Sequence, residues 1–220
     1  MVKNVNPVRN LKLVDNPDNQ ILLNMNKGIS NRVKLKIGFD FDGVIVDHSQ
    51  TKIRKVKEIF GLKIESGQTP GYCLRRMIGQ DNYRQIQKYI YGPGTSQGKV
   101  MKGAVSTLKE LKNLGCKMFI VSRRQPAFRP GALAWIEKNI PGIFNKSQIF
   151  FVKRDEDKDR ILKKLNVKIY LDDKVSVLRK LASVSKKYLY DQYNLKDNFN
   201  LKDITPADSW RQFLEHIRFR

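Results

Sequence analysis

Two hydrophobic periods alternate along the C-terminal half of this chain. In "GKVMKGAVSTLKELKNLG", which begins at Gly98, the apolar residues Ala104, Leu108 and Leu111 recur at helical spacing, and Gly115 follows where a helix would stop. "CKMFIV" comes next, a continuous apolar run ending at Ser122, and reads as a buried strand. The same exchange repeats through "ALAWIEKNI" (helix), "QIFFV" (strand), "DKDRILKKL" (helix), "VKIYL" (strand), "KVSVLRKLA" (helix) and "KKYLYD" (strand). At the end, "TPADSWRQFLEHI" predicts a helix with Thr205 as cap, Pro206 at its first position, and Trp210, Phe213, Leu214 and Ile217 on one apolar face. Helices alternating with short apolar strands predict an α/β fold, a parallel sheet flanked by helices.

Before Gly98 the pattern differs. "KLKIGFDFDGVIVD", residues 34–47, opens with an apolar strand. "QTKIRKVKEIF" then places Ile53, Val56 and Phe60 on one side of a helix, and "DNYRQIQKYIY" is a second helical pattern, closed by the Gly- and Pro-containing loop "YGPGTSQG". Residues 48–97 therefore predict a small helical insert after the first strand of a core made of 34–47 and 98–220. Residues 1–33, with two Asn-Pro pairs and weak periodicity, predict an arm or extension.

A chain of 220 residues suits one main core. Its longest unbroken apolar stretch, Ala132 to Ile136, is far below the ~20 residues of a membrane span. The polar start "MVKNVNPVRN" does not read as a signal peptide, so the expectation is a cytoplasmic protein with no membrane partner. Cys73 and Cys116 lack metal-ligand spacing and are expected as buried thiols in a reducing compartment. A formal net charge of +22 favours phosphorylated substrates and leaves nucleic acid as a rival partner, although the basic residues are spread along the chain without a recognised motif. Oligomeric state is not readable.

The polar residues that end the strands carry the chemistry. Parallel strands present their carboxyl ends on one edge, where open α/β folds build their sites. Here they are Asp40 and Asp42 after "LKIGF", Ser122 after "MFIV", and Asp172 with Asp173 after "KIYL"; Lys158 opens the helix before that last strand. No lysine or arginine lies between Gly38 and Thr51 to neutralise the first pair. Crowded carboxylates need a shared cation at low dielectric, and oxygen-only ligands point to a hard ion such as Mg²⁺. The set is what phosphoryl transfer to an aspartate requires.

Those residues resemble the four ordered motifs of the haloacid dehalogenase-like (HAD) phosphohydrolases: "DFDGV" at 40–44, "FIVS" at 119–122, Lys158, and "YLDD" at 170–173. The resemblance spans roughly residues 35–190. It implies a Rossmann-like core with a helical cap at 48–97, and a phosphatase that forms an aspartyl-phosphate. Asp40 would be the nucleophile and Asp42 the general acid and base. Mg²⁺ would be held by Asp40, the Asp42 carbonyl and the acidic pair, with Asp173 direct and Asp172 outer. Ser122 and Lys158 would hold phosphoryl oxygens, helped by amides at Phe41, Asp42 and Gly43. An acid at position 42 favours a phosphatase or phosphotransferase over a dehalogenase. "RDEDKDRILKKL", "YLDDK", "YDQYN" and "SWRQFLEHI" are similar to the deoxyribonucleotidases, which leans the substrate towards nucleoside monophosphates.

Other residues compete for roles. Lys153, directly after "IFFV", is the alternative to Lys158. Arg123 and Arg124 could grip a second phosphate at the site edge, or be surface residues. His48 receives no role. Tyr72, Tyr83, Tyr89 and Tyr91 fit the core of the insert better than base stacking. Two rival functions stand beside the nucleotidase: a phosphatase acting on nucleic-acid ends, and a catalytically idle module that binds nucleic acid through its basic surface.

Overall fold

The structure is a computed structural model that describes residues 35–218; the arm expected at 1–33 lies outside the described residues. In chain order the strands are β1 (Lys36–Phe39), β2 (Val46–Asp47), β3 (Lys99–Val100), β4 (Lys117–Arg123), β5 (Ile149–Val152), β6 (Ile169–Asp172), β7 (Lys186–Tyr190) and β8 (Ile204–Ala207). The helices are α1 (Ser49–Phe60), α2 (Gly71–Ile78), α3 (Gln80–Tyr91), α4 (Ala104–Asn113), α5 (Arg129–Asn139), α6 (Asp157–Leu165), α7 (Val175–Leu178) and α8 (Trp210–Arg218). Six strands form one parallel sheet in the order β5-β4-β1-β6-β7-β8.

The strand period of two sorts side chains onto two apolar layers. Ile37, Phe39, Met118, Ile120, Ile169, Leu171, Tyr188 and Tyr190 pack on one face, with Leu108 and Leu111 of α4, Trp135 of α5 and Trp210 of α8. Val121, Tyr170 and Leu189 face the other way, onto Leu162 of α6 and Leu178 of α7. Both faces are covered, which is why these strands read as continuous apolar runs.

Between β2 and β3, which pair antiparallel, the chain leaves for three helices with an apolar cluster of their own: Val56, Leu74, Ile78, Tyr83, Ile86 and Ile90. The sequence predicted two of these helices; α2 is additional. Tyr83, Tyr89 and Tyr91 belong to that cluster. Tyr72 instead meets Phe199 edge-on, with ring centroids 5.0 Å apart.

Two expectations are corrected. Thr205 and Pro206 lie in β8, not at a helix start. β8 is an edge strand, where a residue without an N–H forfeits no ladder bond. α8 begins later, with Ser209 Oγ accepting from the Gln212 N–H. Cys73 and Cys116 are free thiols but only half-buried. No helix among the described residues is long and apolar enough to cross a membrane.

Candidate active site

Three adjacent strands, β4, β1 and β6, end together, and their last residues build the site. β1 runs out at Phe39, and the Asp40 N–H still bonds Leu171 O (2.9 Å), so the Asp40 side chain is fixed beside β6. The chain then turns sharply, with the Ile45 and Val46 N–H groups donating to Phe41 O at 3.0 and 2.9 Å and the Gly43 N–H to Val46 O at 2.9 Å. Gly43 has φ +89°, and a Cβ there would stand 2.4 Å from Asp173 Oδ2. Only glycine lets the turn and the acidic pair approach this closely. The Gly43 N–H, expected among the phosphoryl donors, donates to Val46 O, and the missing Cβ leaves room for Asp173.

Asp40, Asp172 and Asp173 each bring a carboxylate oxygen within 4.8 Å of the others. Lys158, from the first turn of α6, is 1% exposed and reaches between two of them, with Nζ 2.8 Å from Asp172 Oδ2 and 3.0 Å from Asp40 Oδ1. Lys153 is exposed. Burial alone would lower the Lys158 pKa; Asp172 and Asp40 outweigh it and raise it well above the ordinary value. Burial pushes Asp172 up to about 7, with Lys158 opposing and Asp40 and Asp173 adding to the rise.

The cluster is short of positive charge and leaves acceptors unused. Asp172 is committed, its Oδ2 to Lys158 and its Oδ1 to the Lys174 N–H at 2.9 Å. Among the described residues Asp173 Oδ1 accepts no hydrogen bond; Lys174 Nζ stands 3.7 Å away. Asp40 Oδ1 accepts none either, since Lys158 approaches within ion-pair range but outside hydrogen-bonding geometry. Converging carboxylates, two of them buried, with unused oxygens and, among the described residues, no nitrogen or sulfur ligand in the group fit a hard divalent cation.

Asp42 has partners of its own and lines one cleft together with Asp173 and Lys174. Its Oδ1 and Oδ2 accept from one terminal nitrogen of Arg124 at 2.6 and 2.7 Å, and His48 Nε2 donates to Oδ1 at 2.8 Å. Burial would raise the Asp42 pKa, but Arg124 and then His48 lower it well below the usual carboxylate range. Arg124 is 1% exposed, so it is neither a surface residue nor free to grip a second phosphate. Arg123, the last residue of β4, is partly exposed and pairs with Asp155 at 3.4 Å. Ser122 is buried near the end of β4, opposite Phe151 in register. Phe41 turns its ring inward, edge-on to Trp135 at 5.4 Å.

Sequence reasoning gave His48 no role and did not pair Arg124 with Asp42. Their partner lies 6 and 82 residues away, respectively, and no periodicity marks either residue. The one signal in the sequence was the lack of any lysine or arginine between Gly38 and Thr51, which left Asp42 in need of a distant cation.

Two clefts open beside Gly43 and Asp173 and share Lys52 and His48. One, of about 550 Å³, is walled by Tyr72, Tyr190, Tyr193 and Phe199; the other, of about 410 Å³, lies against Tyr83, Ile86 and Tyr91 of the helical insert.

Residues 33–220 match the family model described as "5' nucleotidase, deoxy (Pyrimidine), cytosolic type C protein". A protein of Oceanobacillus iheyensis whose name proposes a nucleotidase is 23% identical over 195 residues, covering 83% of this chain and 98% of that protein. Among solved structures, a HAD-superfamily hydrolase from Ehrlichia chaffeensis superposes with a TM-score of 0.56 at 17% identity, covering 85% of this chain and 98% of that one. A HAD-type hydrolase from Bacillus subtilis, bound to magnesium and described as moving between domains, gives 0.58 at 13% identity, covering 86% and 100%. The chain thus belongs to the cytosolic type C 5'-nucleotidase family of HAD-superfamily hydrolases.

Proposed function

We propose that this chain is a Mg²⁺-dependent phosphomonoester hydrolase that works through an aspartyl-phosphate at Asp40, with nucleoside monophosphates as substrates. The convergence of Asp40, Asp172 and Asp173, with Lys158 reaching the first two, carries the reading. Asp40, the Asp42 backbone carbonyl and Asp173 would hold Mg²⁺, with Asp172 behind them positioning Lys158. When bound, the ion offsets the carboxylates' mutual repulsion and the charge of the phosphoryl group.

Asp40 then acts as nucleophile: its oxygen bonds to phosphorus, the bond to the leaving oxygen breaks, and that oxygen takes a proton from Asp42, which gained it from water in the hydrolytic step of the preceding turnover. Asp42 next removes a proton from a water, which attacks the phosphorus of the aspartyl-phosphate, restoring the Asp40 carboxylate and releasing phosphate. Lys158, Ser122 and the Phe41 and Asp42 amides hold the phosphoryl oxygens, in a site whose low dielectric strengthens each contact. Helices α1–α3 act as a cap, and 48–97 is a cap domain on the core of 34–47 and 98–220.

The nucleotide reading is supported by the family's description and by the larger cleft, where the Tyr72–Phe199 pair offers aromatic surface for a base and Lys52 a cation. A panel of nucleoside monophosphates, sugar phosphates and 5′- or 3′-phosphorylated oligonucleotides, assayed for phosphate release with Mg²⁺ or with chelator, tests it. Mg²⁺-dependent release from mononucleotides is the expected result. Preference for phosphorylated oligonucleotide ends would replace the substrate, and silence across the panel would refute the hydrolase.

A further inference from the structure

Arg124 makes more contacts than a carboxylate brace needs. One terminal nitrogen binds both oxygens of Asp42; the other donates to Thr95 Oγ1 at 3.0 Å, Tyr91 O at 3.1 Å and Phe128 O at 3.4 Å. Tyr91 is the last residue of α3, and Thr95 sits in the turn Pro93–Gln97 that brings the chain back from the helical insert to β3. Thr95 is itself anchored to the end of α3, its hydroxyl donating to Ile90 O and Tyr91 O. The other connection to the insert starts at His48, the cap residue of α1, whose Nε2 holds Asp42 Oδ1. Both chain crossings between core and insert therefore converge on one carboxylate.

We propose that Arg124 is a positioning residue: by bridging the return segment of the insert and the Asp42 carboxylate, it ties where the insert sits to where Asp42 points. This rests on the assignment of Asp42 as the proton-transfer group. Arg124 does not touch substrate in this account, because its guanidinium is buried among Asp42, the Phe41 and Tyr91 rings, the Thr95 hydroxyl and the Tyr91 and Phe128 carbonyls. A buried Arg124 Nε–H with no acceptor among the described residues shows that the guanidinium is oriented by its two ends at the expense of its middle. As held, both Asp42 oxygens are acceptors, the arrangement needed to take a proton from water. Giving a proton to a leaving oxygen requires one oxygen to leave Arg124, and displacement of residues 91–95 is the available route.

Leaving-group dependence tests this, because p-nitrophenolate departs without a proton and an alkoxide does not. Arg124→Gln and Arg124→Lys are assayed with p-nitrophenyl phosphate and with a 5′-nucleoside monophosphate, beside Asp42→Asn and the milder Thr95→Val. The expected result is a loss of kcat for the nucleotide at least about ten times the loss for p-nitrophenyl phosphate, within the roughly 10²–10⁴-fold typical of positioned proton transfer, with KM changed far less. Thr95→Val should show the same bias, smaller. Equal losses for the two substrates in the Arg124 variants and no bias in Thr95→Val, while Asp42→Asn shows the bias, would make Arg124 a structural brace only and overturn the inference. Absence of bias in Asp42→Asn as well would instead overturn the Asp42 assignment beneath it.

Discussion

In the proposed mechanism Asp40 is the nucleophile, and asparagine replaces its side chain with one of nearly the same shape. Asp40→Asn should leave the fold intact by circular dichroism while phosphate release falls by at least about 10³-fold, since a covalent route loses its nucleophile. Asp42 makes a different prediction, about pH. Its pKa in the folded chain lies below the ordinary 3.8 because Arg124 and His48 favour the carboxylate over the opposing effect of burial. The stability this confers is fully present above about pH 4 and is lost as pH falls below that, towards the folded value. Urea midpoints at pH 7 and pH 3 should therefore converge in Asp42→Asn relative to the parent, with the variant destabilised by about 3–5 kcal/mol at pH 7 because it leaves Arg124 buried without its charge partner. A midpoint gap in the variant as wide as the parent's would contradict that balance. At this scale, the strand-end carboxylates were legible because ionised groups are costly where an apolar run stops inside a fold, and a shared cation or a reaction offsets that cost. Arg124 was not, because a buried arginine and a surface one look alike in sequence until the partner 82 residues away is known.

Elements turn those residues into a site, and α8 illustrates how remote the support is. Trp210 is fully buried; its Nε1–H donates to Val44 O at 3.0 Å, just beyond the Gly43 turn, and its ring lies 5.3 Å from Phe39. Trp210→Ala should cost about 3–5 kcal/mol in chemical denaturation, the usual penalty for emptying a large aromatic site, and should loosen the 41–46 turn as well. Parent-like stability would show that the C-terminal helix is dispensable. The apolar face of α8 was readable from its spacing, but its start was not: Thr205 and Pro206 imitate a cap and first turn, and pairing with β7 drew them into the sheet edge instead. α2 escaped notice for a similar reason. It is eight residues long with two buried side chains, Leu74 and Ile78, too short for periodicity to distinguish it from a loop. The alternating core strands were legible because both faces of a parallel sheet are covered.

For the whole molecule, net charge and the acidic cluster act together. A formal +22 concentrates anions near the protein at low ionic strength, so raising salt from about 20 to about 200 mM, which shortens the Debye length several-fold, should raise KM for a nucleotide and leave kcat nearly unchanged. A kcat that falls with salt in parallel would place the dependence in the site itself. The basic residues did not reveal a partner in the sequence because charge spread over a chain marks no surface; the ordered strand-end motifs did reveal the fold and reaction class, because a parallel sheet gathers distant residues on one edge. The central claim is that phosphoryl transfer passes through Asp40, and trapping the intermediate tests it most directly. The enzyme is mixed with Mg²⁺ and substrate, quenched in acid during turnover, reduced with borohydride and mapped by mass spectrometry. The account predicts reduction of residue 40 to homoserine, absent in Asp40→Asn and absent without Mg²⁺. Turnover that continues in Asp40→Asn, with no modification at residue 40 of the parent, would contradict it.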